Sequence, residues 1–456
     1  MSEPQVKAEY TRGSIGYTML KTATAMLAAT LAMSGFNIAD TYFVGRLDGH
    51  ESLAAIGFTF PVVIVVGCLL HGLGTGCMAN LAHAQGRGDA RSSREIVFSG
   101  LALLCVVAFV MSALGIAFAT PLYHIMGAKG HVLEELRGYM NIWFFGCVTS
   151  ALTMESNKML VAAGRPRMSS AMTIMALALN VILDPIMIFG LGPFPRLGVR
   201  GAALATVISQ AISAVVNLYV LNRVSLLEFK LLPLSKLLQV WAAIIKYAIP
   251  AILGMMVIPL GNFATTRITA EFGDVAVAAV AAAARLEMVA FVFPMSVGIG
   301  LMPMIAQNYG ARLYSRVKRC YFFAITVAFV FLLVAGAIMI VFAPQLVAIF
   351  SKDAEVQKIM VICMHIIPYC FWSTEIMRFN GFTMTGCGRP NPDAWLKVLR
   401  LALLLVPLSY LAMRLNWLSG LFYARVVTDI VACGAGALMV HHLFRVLPAD
   451  GKPDQI

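Results

Sequence analysis

The chain has 456 residues, of which 60% are apolar and only 12% charged, whereas a soluble domain carries about 25% charged residues. Uncharged runs recur along the whole length, which excludes a soluble globular protein and points to a polytopic helical membrane protein. The net charge of +12 does not call for nucleic acid, because basic residues of such proteins gather in their cytoplasmic loops.

An outer-membrane barrel is excluded by the lack of alternating ten-residue segments. The chain opens on a polar stretch, and its first apolar run has no small-residue cleavage site, so no removable signal peptide is expected. The nine cysteines, at 68, 77, 105, 147, 320, 363, 370, 387 and 433, fall mostly inside apolar segments and read as free core thiols.

Twelve segments reach the length of about 20 residues that a spanning helix needs. The first half gives 17–44, 52–82, 95–119, 136–162, 168–192 and 198–222. The second gives 240–270, 275–305, 319–343, 357–385, 395–414 and 417–444. Lys and Arg concentrate in the even loops: Arg87, Arg91 and Arg94; Arg165 and Arg167; Arg223, Lys230 and Lys236; Arg312, Arg316 and Lys318; Arg389. The odd loops hold only Arg46, Lys129, Arg196 and Lys352. The even loops and both termini are therefore expected on the cytoplasmic side of a cell (inner) membrane.

The chain repeats itself. Ala84-Gln85-Gly86-Arg87-Gly88 returns as Ala306-Gln307-Asn308-Tyr309-Gly310, 222 residues later, and Gly164-Arg165-Pro166 returns as Gly388-Arg389-Pro390, 224 residues later. Both matches fall in equivalent loops. Two six-helix lobes are expected, 1–225 and 226–456, as parallel repeats about a pseudo-two-fold along the membrane normal, with a substrate pathway between them.

Polar residues inside the spans are few. The first is Asp40, in Asn37-Ile38-Ala39-Asp40-Thr41-Tyr42-Phe43-Val44-Gly45, with no Lys or Arg within one helical turn. A carboxylate at that depth costs about 2.5–3.5 kcal/mol even on the lenient insertion scale, so a partner, a cation or a proton must offset it. Asn180 and Asp184 are four apart on one face of the fifth span. Pro185 removes a backbone donor and frees a carbonyl near Val181. Thr206 lies about two turns below the outer start of the sixth span, and Asp40, Asp184 and Thr206 fall within about 10 Å of one level. Two carboxylates, an amide and a hydroxyl are hard oxygen ligands that suit Na⁺ or a shared proton. Two acids in one low-dielectric pocket do not both ionise freely and titrate as a unit. Glu155 and Lys158 lie near a cytoplasmic end.

The second half is asymmetric. At the 222 offset Asp40 becomes Asn262. This half carries Arg267, Arg285, Glu287, Glu375 and Arg378 instead. Arg285 with Glu287, and Glu375 with Arg378, read either as structural ion pairs or, with Asn37 and Asn262, as the lining of a cavity or gate. Gly72, Gly74, Gly76, Gly298 and Gly300 mark close packing or bending rather than a phosphate loop. His71 and His365 read as satisfied core histidines. The Met and Phe content reads as core and lipid face, part of it suited to a permissive pocket.

Several of these motifs together resemble the multidrug and toxic compound extrusion (MATE) transporters, nearest their DinF-like branch. They are Asn37-x-x-Asp40-Thr41-x-Phe43-Val44-Gly45-x-Leu47, Leu53-Ala54-Ala55-Ile56-Gly57, Ala84-Gln85-Gly86-Arg87-Gly88, Gly164-Arg165-Pro166, Asn180-x-x-x-Asp184-Pro185 and Gly201-Ala202-Ala203-Leu204-Ala205-Thr206. The resemblance covers nearly the whole chain. It implies alternating access between two lobes and export of organic, often cationic, compounds against H⁺ or Na⁺. It also implies an N-lobe cation site at Asp40, Asn180, Asp184 and Thr206. Relatives often carry a proline early in the first helix; here none lies between Pro4 and Pro61, and the position 222 before Pro250 is Ala28. A bend in this helix would fall at Ser34-Gly35 instead.

The expected function is therefore a secondary antiporter for small-molecule drugs or toxic compounds. It is expected to need the lipid bilayer, no cofactor beyond the coupling ion, no nucleic acid and no oligomer, and not to be an enzyme. One rival is a flippase for lipid-linked oligosaccharides, which would use a basic cavity around Arg267, Arg285 and Arg378. A remote rival is an intramembrane aspartyl protease reading Gly86-Arg87-Gly88-Asp89 as its motif, although that stretch lies in a basic loop.

Overall fold

The computed structural model describes residues 8–44, 50–125, 127, 129–230 and 232–453, and the side chains among them except at 36–42, 44, 50–56 and 131. The described residues form helices joined by short turns, and no strand occurs among them. The first repeat comprises α1 (Ile15–Val44), α2 (His50–Gly86), α3 (Ala90–Ile125), α4 (Gly130–Phe145), α5 (Cys147–Ala162), α6 (Pro166–Phe189) and α7 (Val199–Arg223). The second comprises α8 (Leu234–Ala270), α9 (Asp274–Gly310), α10 (Tyr314–Val341), α11 (Ala343–Phe350), α12 (Ala354–Ile366), a 3₁₀ turn (Ile367–Cys370), α13 (Phe371–Gly386), α14 (Asn391–Val398), a π-helical stretch (Leu399–Leu405), α15 (Val406–Arg414) and α16 (Leu418–Val446).

Among the described residues, ten helical segments are long and apolar enough to cross a membrane. With α1 and the α4–α5 pair, each repeat has six spans. Three expected spans are interrupted, for local reasons. The fourth breaks at Gly146, where any Cβ would run into the Val207 side chain of α7. The tenth passes through the 3₁₀ turn at Pro368. The eleventh widens into the π-helical stretch just before Pro407, whose ring cannot fit behind a regular i−4 carbonyl. The first helix is continuous from Ile15 to Val44 and contains no proline.

The repeated loops are turns of one kind. Gly88, Gly164 and Gly388 all have φ between 73° and 85°, the left-handed region that only glycine enters without strain. In the second copy of the first loop that role passes to Arg312, with φ of 58°. Helix α2 ends two residues before Gly88 and α9 two before Arg312, so the structural offset of this loop is 224 rather than 222, the same as for Gly164 and Gly388. Asp89, the acid of the protease-like motif, caps the turn into α3. It accepts from the Ser92 N–H (2.8 Å) and hydroxyl (2.6 Å), and these bonds hold its pKa below the usual carboxylate range.

The chain forms two compact units, residues 25–248 and residues 8–24 with 249–456. The first turns of α8 thus belong with the N-terminal repeat: Trp241 Nε1 donates to the Ser99 carbonyl (2.9 Å), and the Asn80 amide to that of Ala243 (3.3 Å). Residues 8–24 belong with the C-terminal repeat. The Tyr10 N–H donates to Gln307 Oε1 (3.0 Å), Asn308 donates back to the Tyr10 carbonyl (3.1 Å), and Arg316 reaches the carbonyls of Arg12 and Gly13 (3.0 and 2.9 Å). Tyr10, Met19 and Ala23 enter a core with Leu301, Val317, Tyr321 and Phe379. A second core of this unit joins α9, α10, α12, α13 and α16 through Leu286, Leu332, Met360, Phe371 and Phe422. All nine cysteines are free, and eight are buried.

Candidate functional site: a buried acid–amide–hydroxyl cluster and a charged network

Helices α6 and α7 pack closely as an antiparallel pair, because small residues meet at their crossing. Gly201 lies against the Met187 carbonyl, and Ile188 and Ala202 form a small core with Phe43, Tyr139 and Phe189. This close approach brings the two helices' polar side chains together. Asp184 is 0% exposed and Asn180 3%. With its amide oxygen turned to α7, Asn180 accepts from the Thr206 N–H (3.1 Å) and hydroxyl (3.2 Å), and its amide nitrogen donates to Asp184 Oδ2 (3.3 Å). The reverse amide orientation would set acceptor against acceptor. Thr206 therefore orients Asn180, and Asn180 presents a donor to the carboxylate. The set comprises a carboxylate, an amide and a hydroxyl, all of them oxygen donors of the hard kind. The Asn37 and Asp40 side chains lie outside the described residues. Phe43, one turn further along α1, packs into the same small core as Ile188 and Ala202.

The C-terminal repeat carries a different centre. Arg425 Nη1 and Nη2 donate to Glu287 Oε1 (3.1 Å) and Oε2 (2.6 Å), a bidentate pair. One turn on, Asp429 is 0% exposed and accepts from Arg400 Nε (2.5 Å) and the Thr374 hydroxyl (2.6 Å), with Arg425 Nε at 3.8 Å. Two guanidiniums and two carboxylates thus form one balanced network across α9, α13, the π-helical stretch and α16. Because each acid already faces an Arg, this centre holds its charge internally and offers no lone carboxylate to a cation.

The fourth span of each repeat carries a buried Glu with a cation three residues on. Arg378 donates to Glu375. In the first repeat, Lys158 Nζ lies 4.0 Å from Glu155 Oε2 and donates to the His71 carbonyl (3.1 Å). Gly74 has no side chain because these two groups occupy the space. No group of three or more His, Cys, Asp or Glu that could hold a metal ion occurs among the described residues. A cavity of about 500 Å³ between α2, α3 and α4 is lined by apolar side chains such as Val65, Met111, Phe118 and Phe144.

The MatE family model matches residues 25–186 and again 250–411. The chain belongs to the MatE family. The two matches are 225 residues apart, which sets the internal repeat within this MatE chain. Among its relatives, an FAD transporter of Shewanella oneidensis is 31% identical over 423 residues, covering 92% of this chain and 93% of the relative. The multidrug export protein MepA of Staphylococcus haemolyticus is 24% identical over 445 residues, covering 97% and 96%. Solved structures agree in fold. A MOP superfamily transporter from Pyrococcus furiosus superposes with a TM-score of 0.87 at 23% identity, covering 96% of this chain and 98% of its own. A Vibrio cholerae MATE transporter gives 0.87 at 24% identity, covering 94% and 97%.

The structure of this MatE chain brings Asn180, Asp184 and Thr206 together, and Glu375 with Arg378. It does not pair Arg285 with Glu287. Residues two apart point to different sides of a helix, so Arg285 is exposed while Glu287 turns inward to Arg425. Arg267 pairs with Glu271 (3.0 Å) at a helix end where both are largely exposed, and Asn262 is exposed. Neither enters the buried network. His365 is exposed, with Nδ1 against the Val361 carbonyl (2.8 Å). Arg400, Arg425, Asp429 and Thr374 are not among the residues that the sequence analysis names. The signal was available: charges inside apolar segments, with Arg425 and Asp429 four apart on one face.

Proposed function

We propose that this MatE chain is a secondary antiporter. It exports small organic molecules in exchange for H⁺ or Na⁺, which enters at Asp184 with Asn180, Thr206 and Asp40. The buried Asp184–Asn180–Thr206 cluster carries this reading. A carboxylate held away from water is costly as a bare anion, and binding a cation or proton offsets that cost. Different affinity of this cluster in the two access states would bias their equilibrium. The even loops are assigned to the cytoplasm from their Lys and Arg content, and multidrug substrates from the MepA relatives.

The test is uptake into inside-out vesicles, where export becomes accumulation in the lumen, with ΔpH and ΔNa⁺ imposed separately, for the wild type, Asp40→Asn and Asp184→Asn. Both variants should lose gradient-driven export at equal expression. Full export by Asp184→Asn would overturn the assignment.

A second reading concerns the substrate. The relative with 31% identity over 423 residues is an FAD transporter, which favours an anionic dinucleotide over an organic cation. Radiolabelled FAD and ethidium, offered in parallel in the medium to the same vesicles, separate the two.

A further inference from the structure

Helix α7 carries a line of polar side chains that coupling at Asp184 does not use. Below Thr206 come Gln210, Ser213 and Asn217, at steps of four, three and four residues, hence on one face. The line runs about 16 Å from the Asp184 level towards the basic end of the lobe at Arg223. It is not solvated surface: Ser213 and Asn217 are both 0% exposed. Helix α5 meets it with polar residues of its own. The Thr153 hydroxyl donates to the Gln210 carbonyl (2.9 Å), which sets the register of two helices running the same way and brings Ser156 and Asn157 level with Ser213. Helix α6 runs the other way from the Asn180–Thr206 contact and brings Thr173 and Ser169 to the levels of Ser213 and Asn217.

These groups are not satisfied by one another. Gln210 Oε1, Ser213 Oγ, both side-chain atoms of Asn217, Ser156 Oγ and Asn157 Oδ1 are buried with no hydrogen-bond partner among the described residues. Buried polar atoms are almost always paired, with protein or with ordered water. Six such atoms along one seam therefore mark a row of water positions. A core that needed only packing would place leucine or alanine at 210, 213 and 217.

We propose that this seam is a hydrated proton path joining Asp184 to the cytoplasmic end of the N-terminal lobe. The proposal rests on the antiport reading and narrows its coupling ion to H⁺. Hydroxyls and waters relay a proton by hops in which one O–H bond breaks as the next forms, and the amides of Gln210 and Asn217 anchor the waters. Protonated Asp184 gives up its proton to the first water and is left ionised, and the last water delivers one proton to the cytoplasm. Among the described residues the seam contains no carboxylate that would trap the proton on the way. Glu155 and Lys158 lie on the other side of α5, against Gly74 of α2.

The test uses the full chain in proteoliposomes of fixed orientation, with acidification of the medium on the cytoplasmic side. Time-resolved infrared difference spectroscopy follows the carbonyl stretch of protonated Asp184, assigned by its loss in Asp184→Asn. The double variant Ser213→Ala/Asn217→Leu should slow the appearance of this band at least tenfold while leaving its final amplitude unchanged. Asn217→Ser, which supplies a hydroxyl and leaves room for water, should restore the rate when it replaces Asn217→Leu. An unchanged rate in the Ser213→Ala/Asn217→Leu variant overturns the path and leaves the antiport reading standing. Absence of any band that Asp184→Asn removes overturns proton coupling at Asp184, and the path with it. A thermal melt of each variant separates slowing from misfolding: a slowed variant that also melts early and is not restored by Asn217→Ser counts against the proposal.

Discussion

Truncating one partner of the Glu287–Arg425 pair should destabilise the C-terminal lobe far more than truncating both. Arg425 gives Glu287 two hydrogen bonds of 3.1 and 2.6 Å, and the Glu287 side chain is only 7% exposed. Removing one partner of a buried pair leaves an uncompensated charge and costs about 3–5 kcal/mol. Asp429 keeps Arg400 and Thr374, so Arg425→Met should fall at the lower end, about 3 kcal/mol, most of it from stranded Glu287. Glu287→Met strands a guanidinium that still has Asp429 nearby, and should cost about 2–3 kcal/mol for its lost charge-assisted bonds. In the double variant, two apolar chains replace two paired charges, and the loss should shrink to about 1 kcal/mol, a coupling of about 4 kcal/mol. The assay is a double-mutant cycle by reversible SDS unfolding in mixed micelles. Additive losses, with the double variant the least stable of the three, would refute the claim that this pair is buried and mutually compensating.

Asn180→Ala should remove both the donor to Asp184 and the acceptor for Thr206. It should lower gradient-driven efflux at least tenfold while changing micellar stability by no more than about 1–2 kcal/mol, the usual worth of such bonds, and efflux and unfolding measured on one preparation check this. Gly146→Val should force α5 away from Val207 and cost about 1–3 kcal/mol by overpacking, read as a lower melting temperature. Asp89→Ala should cost about 1 kcal/mol through loss of the α3 cap and leave efflux intact, which also distinguishes a cap from a catalytic acid. Its pKa is depressed by Ser92, so the capping stabilisation is present above the unfolded value of about 3.9 and lost as pH falls through the folded one. The difference in melting temperature between wild type and Asp89→Ala should accordingly close on acidification below that range.

The sequence by itself determined the all-helical membrane architecture, because apolar runs of spanning length leave the backbone no other way to satisfy its hydrogen bonds in lipid. It also determined the internal repeat, through turns whose glycines need left-handed backbone, and it named Asn180, Asp184 and Thr206, since so few polar residues interrupt the spans. Spacing along one helix was enough for Glu375 and Arg378, which are three residues apart.

Only the tertiary structure could decide which element each isolated charge meets. Glu287 has Arg285 two residues away in sequence but finds Arg425, 138 residues on, because helical geometry turns neighbours two apart to different sides. Gly146 and Pro407 were visible as residues, but the break and the π-helical widening they accompany depend on Val207 behind the one and on the helix before the other. The assignment of residues 8–24 to the C-terminal unit and of 226–248 to the N-terminal unit likewise rests on long-range bonds such as Tyr10 to Gln307 and Trp241 to Ser99. The polar seam below Asp184 follows the same rule. Gln210, Ser213 and Asn217 share one face of α7 by their spacing, but only the packing of α5 and α6 against α7 removes Ser213 and Asn217 from solvent.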